Sequence, residues 1–399
     1  GRVLIFQTLD DKDECIGIYR SGSLTFDDIP EGLSACWAPV PYLADKEIEY
    51  ASLYCGGKTP DQVCPEELKD DWEQISDKMK AYYRSLILSK VDLNENCFFD
   101  LVPPRFLSEY CRMRVEITKH VLEVYERPEN YDYLLSMTKL LTKVGHNELN
   151  IDLSSLNSTL HLEKVRRFRK KAENLPKYIK YNLFGTKTGR LSTKKGSFPI
   201  MNMNKEFRSI VKPKNDYFLE LDFNAAEVRT LLSLAGSKQP HIDIHAWNLA
   251  QGMGENVESR EDAKKAFFSW LYDEKKINNN LEGIYHRNKV RESHFKDNKV
   301  TTPFGNTMEA DYHHALSYLI QGTTAEMVLR QAIKIDEFLQ GKKSFISFTI
   351  HDSIVIDIPK EEAHLARKLL DIFGDTELGH FLVNSSVGSD FGNMREVKR

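Results

Sequence analysis

Two aspartates, Asp222 and Asp352, stand at the ends of β-rich runs with no His or Cys ligand set around them. Oxygen donors of this kind suit hard cations such as Mg²⁺. Two such ions about 3.5–4 Å apart can activate an attacking oxygen and stabilise a leaving one in phosphoryl transfer. Taken alone, a strand-end Asp is more often a turn or cap residue. A second pattern is more specific: Arg260, Lys264, Phe268 and Tyr272 recur at steps of four. Each step advances about 400° around a helix, so the four form a slowly drifting stripe roughly 18 Å long, two cations followed by two aromatics. That order suits a nucleotide, with cations for the triphosphate and a ring for base and sugar. The plainer reading is an amphipathic surface helix with a buried aromatic end. A third group, His241-Ile242-Asp243-Ile244-His245, offers a metal cluster for a hydrolase, but a capping Asp beside a surface His is preferred.

Elements must position these side chains. Tyr217 to Phe223 alternates as a strand and delivers Asp222 at its end, and a helix follows from about Ala225 to Ala235 with Gly236 as its stop. Phe345 to Ile350 and Ile354 to Ile358 read as a hairpin with Asp352 at its tip, and Lys360 to Phe373 as an amphipathic helix ended by Gly374. Upstream, short β-like runs at Val3 to Phe6 and Cys15 to Tyr19, a Ser21-Gly22 turn and helical patterns after Pro65 read as a small α/β domain. From about 105 to 180 the pattern is helical.

At 399 residues and 41% hydrophobic content the chain is long enough for two or three cored domains. Its net charge of −4 argues against a uniformly basic nucleic-acid coat or a membrane-surface protein. That average conceals a block from 160 to 215 with 16 basic and three acidic residues, a local charge of +13. No run is apolar enough for a membrane span and the start lacks a signal pattern, so the expected compartment is the cytoplasm, bacterial or of a phage-infected host, with Gly1 read as a processing start. The six cysteines all lie within the first 111 residues without CxxC spacing, which predicts reduced thiols rather than a zinc site.

Taken in order, the motifs resemble those of family A DNA polymerases, the group that includes the bacterial repair polymerase and many phage replicative enzymes. Thr188-Gly189-Arg190-Leu191-Ser192 is similar to TGRLS, and Asn202 to the last Asn of PNLQN. Asp222-Phe223-Asn224-Ala225-Ala226-Glu227, with Arg229, is similar to DYSQIE followed by LR. Asp243-Ile244-His245 matches DIH and displaces the metal-cluster reading, and the four-step stripe matches R-x3-K-x3-F-x3-Y. Gln321-Gly322-Thr323 resembles QGT, and His351-Asp352 resembles HDE. Ser353, Ala225 and Ser317 depart from the pattern, where HDE ends in Glu, DYSQIE has Gln, and an Asn precedes the QGT glutamine by four residues. The stretch between Tyr272 and Gln321 is shorter than usual for the family.

The resemblance implies an α+β right-hand polymerase: an antiparallel palm sheet with helical fingers and thumb, preceded by a small α/β exonuclease-like domain. The implied domains are 1–125 (exonuclease-like), 126–185 (thumb) and 186–399 (palm and fingers, the fingers about 240–320). It further implies that Asp222 and Asp352 hold two Mg²⁺ ions with the Phe223 carbonyl as a further ligand, while a primer 3′-hydroxyl attacks a dNTP. His245, Arg260 and Lys264 would grip the triphosphate, Phe268 would pack on the nucleotide, Tyr272 would sit by the templating base, and Glu227 would exclude a ribose hydroxyl. Arg190, Gln321 and His351 would follow the primer-template DNA, with the basic block along its phosphates. A processivity or replisome partner fits this picture, and a membrane does not. The rivals are a single-subunit RNA polymerase or reverse transcriptase with a related palm, and a non-catalytic DNA-binding relative.

The N-terminal stretch resembles a worn proofreading exonuclease. Phe6-Gln7-Thr8-Leu9 stands where FDTE would supply metal-binding acids, and Tyr110-Cys111-Arg112-Met113-Arg114-Val115 stands for YCxxDV with Arg114 in place of Asp. Replacing the acids by Gln, Leu and Arg removes the charge that would hold a divalent metal, which predicts a catalytically dead domain. The plainer alternative is an unrelated small domain.

Overall fold

The computed structural model describes residues 2–398; Gly1, read above as a processing start, lies outside them. The chain forms two compact units, Gly1–Lys139 and Leu140–Arg399.

The first unit opens on a three-stranded antiparallel sheet, Gln7–Thr8, Gly17–Arg20 and Ser23–Phe26. Arg20 pairs with Ser23, so Ser21 and Gly22 form a two-residue turn, and both take positive φ as a primed hairpin turn demands. The strand expected over Val3 to Phe6 contracts to a single parallel bridge between Ile5 and Ala35, and regular pairing starts only at Gln7. Within the run Phe6 is buried, Leu4 and Ile5 are half-buried and Val3 is exposed, so the apolar run forms neither a ladder nor a wholly buried segment. Two long helices, Lys69–Leu88 and Pro104–Val124, cover the unit. The second starts with proline at its first position, where the missing N–H costs nothing. It buries Phe106, Leu107, Cys111, Met113, Ile117 and Val121 among Trp37, Trp72, Phe98 and Leu9.

The second unit is organised by a five-stranded antiparallel sheet in the order Phe345–Ile350, Ser353–Ile358, Tyr217–Phe223, Val383–Gly388, Arg395–Glu396. The period of two decides what each face carries. Leu219, Leu221 and Phe223 are buried, and Phe223 stacks on Phe373 at 4.2 Å between ring centres. Glu220 and Asp222 occupy the opposite face. Helix Ala226–Leu234 ends at Gly236, whose φ of +82° supplies the left-handed stop. The expected 360–373 helix forms as a 3₁₀ turn, Lys360–Leu365, followed by the α-helix Ala366–Gly374. Gly374 is the last helical residue rather than a left-handed cap. A Cβ there would meet the Phe381 carbonyl at 3.0 Å, so the glycine permits a close backbone approach.

The 240–320 stretch holds helices Ile244–Ala250, Arg260–Tyr272, Asn279–Tyr285 and Arg287–His294 around Phe267, Trp270, Leu281 and Tyr285. It is not wholly helical, because Phe295–Lys296, Lys299–Thr301 and Thr307–Glu309 form a small antiparallel sheet. Behind these elements runs the 27-residue helix Tyr312–Phe338, buried along most of its length.

Candidate active site

Strand register brings the two aspartates together. Asp222 lies directly opposite Ser353 on one side and Asn384 on the other. Opposed Cα atoms in an antiparallel pair are about 4.5–5.5 Å apart, so Asp352, one residue before Ser353, stands beside Asp222 at the sheet's end. Ile350 pairs with Ser353, which leaves His351 and Asp352 as a two-residue turn, with His351 held at φ +51°. Ala225, which precedes the next helix, takes φ +46°. Two non-glycine residues in the left-handed region thus flank the aspartates, the kind of local strain that surrounding structure must impose.

Burial pushes the Asp222 carboxyl up to about 6; the charges of Glu220, Glu396 and Asp352 add to the effect, and a hydrogen bond from Asn384 opposes it. Asp352 is also raised by burial, with Arg190 and His351 pulling the other way. Both carboxylates therefore carry charge that a cation would stabilise, and their oxygen donors fit Mg²⁺. Among the described residues no group of three or more His, Cys, Asp or Glu side chains could hold a metal alone.

Next to the pair, Arg190 lines a cavity of about 420 Å³ with Thr186, Leu191, His351 and Asp352. Its guanidinium bonds Glu227 at 2.5 Å. Glu227 is raised by burial, with Arg190 lowering it. Gly322 explains how the loop bearing Arg190 is seated: a Cβ there would lie 2.9 Å from Met308 and 3.4 Å from the Thr188 carbonyl. Gln321 donates to Ser317 at 3.0 Å, so the serine in place of the usual asparagine still holds this side chain.

The helix with the four-step stripe spans Arg260–Tyr272 as expected, capped by Ser259. Arg260 makes two bonds of 2.9 Å to Asp243 and a third of 2.6 Å to Glu261. Asp243 also caps Ile244–Ala250 through the Ala246 amide. Burial would raise Asp243, but hydrogen bonds from Arg260, Asn224 and that amide outweigh it and hold the carboxyl well below the usual range. His245 is buried beside Phe268 at 6.1 Å, and burial together with the charges of Arg260 and Lys264 lowers it despite Asp243. Phe268 and Tyr272 lie nearly parallel 6.1 Å apart, and Tyr272 is 57% exposed. Burial raises Tyr272, as does the charge of Glu227, while Arg190 opposes them, which ties the far end of the stripe to the same site.

Sequence reasoning missed the strap that joins these parts. Asn224 donates to Asp243 at 2.9 Å and accepts from the Ile244 amide at 3.0 Å. The fully buried Arg229 donates to Asn224 and to the carbonyls of Pro240 and Ile242. The residue two past Asp222 is thereby linked through Asp243 to Arg260. Arg229 set among Val228, Leu231 and Leu232 was the available signal, since a buried arginine must be fully bonded.

In the first unit, Arg114 donates to Gln7 at 3.1 Å and to the Tyr110 hydroxyl at 3.3 Å, with its guanidinium about 6 Å from the Trp37 and Tyr110 rings. All six cysteines are free thiols. In the basic block, Lys164 and Lys212 pair with Glu206 and Asp152, while Arg166 and Lys170 are exposed on helix Glu163–Ala172. Among the described residues no helix is long and apolar enough to cross a membrane.

No protein-family model matches the chain. No curated protein matches it by sequence. Its structure does have a counterpart: the POL domain of Pol1 from M. smegmatis, solved in complex with DNA primer-template and dNTP, matches with a TM-score of 0.64 over 98% of this chain and 96% of that one. Identity is 13%, so the likeness is one of fold: this mixed α/β chain shares the fold of that POL domain.

Proposed function

We propose that the protein is a template-directed DNA polymerase of the family A kind, built as palm, fingers and thumb behind an N-terminal domain without nuclease activity. The single observation that carries this reading is the pairing of Asp222 with Ser353, which puts the adjoining turn and its Asp352 close enough for the charge of Asp352 to act on Asp222. It is supported by the cation-and-aromatic helix tied to the same site through Asn224 and Asp243.

Asp222 and Asp352, with the Phe223 carbonyl, would hold two Mg²⁺ ions. Such ions lower the pKa of an attacking hydroxyl and stabilise charge on a leaving pyrophosphate. The protein's own groups do the rest. Lys264 and His245 offer donors to a triphosphate, and Arg260 does so on exchanging Asp243 for phosphate. Phe268 and Tyr272 present ring faces to the nucleotide and the templating base. Glu227, held by Arg190, fills the space below the sugar 2′ carbon and favours deoxyribonucleotides. His351 and Gln321 reach the minor groove of the primer end, where all correct pairs share acceptors. The exposed cations of the 160–215 block bind duplex phosphates, with affinity that falls as salt rises.

The test is extension of a labelled primer on DNA and RNA templates with dNTPs or rNTPs in Mg²⁺. The proposal expects template-matched extension with dNTPs on DNA. Preferential use of rNTPs, or no templated synthesis on DNA, contradicts it.

A further inference from the structure

The position next to Asp352 holds a serine, yet the neighbouring strand brings a carboxylate to it. Ser353 Oγ lies 3.0 Å from Glu220 Oε1 and 3.0 Å from the Ile350 carbonyl. The hydroxyl has one proton to donate and the carboxylate is the stronger acceptor. Glu220 shares its sheet face with Asp222, two residues away, and lies opposite Val355 and Ser386. Ser353 also pairs with Ile350 and so closes the two-residue turn that carries Asp352, with His351 in its left-handed conformation; its hydroxyl ties that turn to Glu220. A side chain that clamps this turn therefore decides where the Asp352 carboxylate points.

We infer that Glu220 is a positioning residue of the metal centre: through Ser353 it fixes the Asp352 turn and supplies from the adjacent strand the accessory negative charge that Ser353 lacks. The inference rests on the polymerase reading for its metal, but it concerns cation binding and can be tested without catalysis. Outer carboxylates that orient metal ligands typically contribute about 10–100-fold in metal affinity.

The test measures Mn²⁺ binding to the full chain by electron paramagnetic resonance, alongside the Mg²⁺ concentration for half-maximal primer extension. Glu220→Gln keeps an oxygen that can accept from Ser353 and removes the charge. It should weaken Mn²⁺ binding about 10-fold and shift the Mg²⁺ midpoint upward in parallel. Ser353→Ala leaves every acid in place and should also weaken binding, so it carries the test if Glu220→Gln does not fold. The exchange Glu220→Ser with Ser353→Glu should recover most of the affinity lost in Glu220→Ser alone. Wild-type Mn²⁺ binding in both Glu220→Gln and Ser353→Ala, or an exchange variant no better than Glu220→Ser, overturns the inference. A wild-type chain that binds Mn²⁺ but makes no DNA overturns the polymerase reading instead, and leaves this comparison of affinities intact.

Discussion

The ends of two sheets in this molecule carry opposite chemistry. In the second unit the Tyr217–Phe223 strand and the hairpin beside it present Asp222 and Asp352. In the first, the residue that begins regular pairing is Gln7, and the partner from the Pro104–Val124 helix is Arg114. The first pair raises the cost of charge until a cation relieves it. The second is already satisfied, because the guanidinium bonds Gln7 and Tyr110 and lies near two aromatic rings. One site gathers raised carboxylates, and the other is filled by its own arginine.

The largest expected effect separates the two regions. Asp222→Asn should lower the primer-extension rate at least about 10³-fold, since the metal contribution is several kcal/mol. The double change Gln7→Ala with Arg114→Ala should leave that rate within about twofold. Comparable losses in both would erase the distinction. Lys264→Ala should raise the KM for dNTP about 10-fold or more, the worth of one charge-assisted bond, with a smaller effect on kcat. Steady-state single-nucleotide kinetics reads this directly, and an unchanged KM removes Lys264 from the triphosphate. Glu227→Ala should increase ribonucleotide incorporation about 10-fold, measured as the ratio of kcat/KM for rNTP and dNTP.

The smallest effect is on stability. Because Asp222 is raised in the folded protein, the folded state binds more protons than the unfolded chain between about pH 4 and 6, and metal-free stability falls as pH rises through that window. Asp222→Asn removes this cost. Allowing for partial solvent screening, it should gain about 1 kcal/mol above pH 6, worth about 2–4 °C in Tm, and nothing below pH 4. Thermal melts in chelator at pH 4 and pH 7.5 decide it.

How much of this was legible in the sequence follows from where the signals lie. The strand before Asp222 and the Arg260–Tyr272 helix follow from side-chain period, and the hairpin at Asp352 from two β-rich runs separated by a short polar stretch. The strand expected at Val3 to Phe6 shows the limit, since a short apolar run does not by itself decide pairing. The Asp243 cap on Ile244–Ala250 was legible, whereas its bond to Arg260 was not, because that contact spans 17 residues and depends on how two helices meet. Likewise Glu220 carries no local signature, and only strand register brings it to Ser353. Asn384 enters the site in the same way, from a strand that follows much later in the chain.

The central claim is that Asp222 and Asp352 act together in templated nucleotide addition. A primer-extension reaction with Mg²⁺ and all four dNTPs, run side by side on the wild-type chain and Asp352→Ala, tests it most directly. Full-length, template-matched product from the wild type and no product from Asp352→Ala is the result the account predicts. Equal extension by both proteins would contradict it.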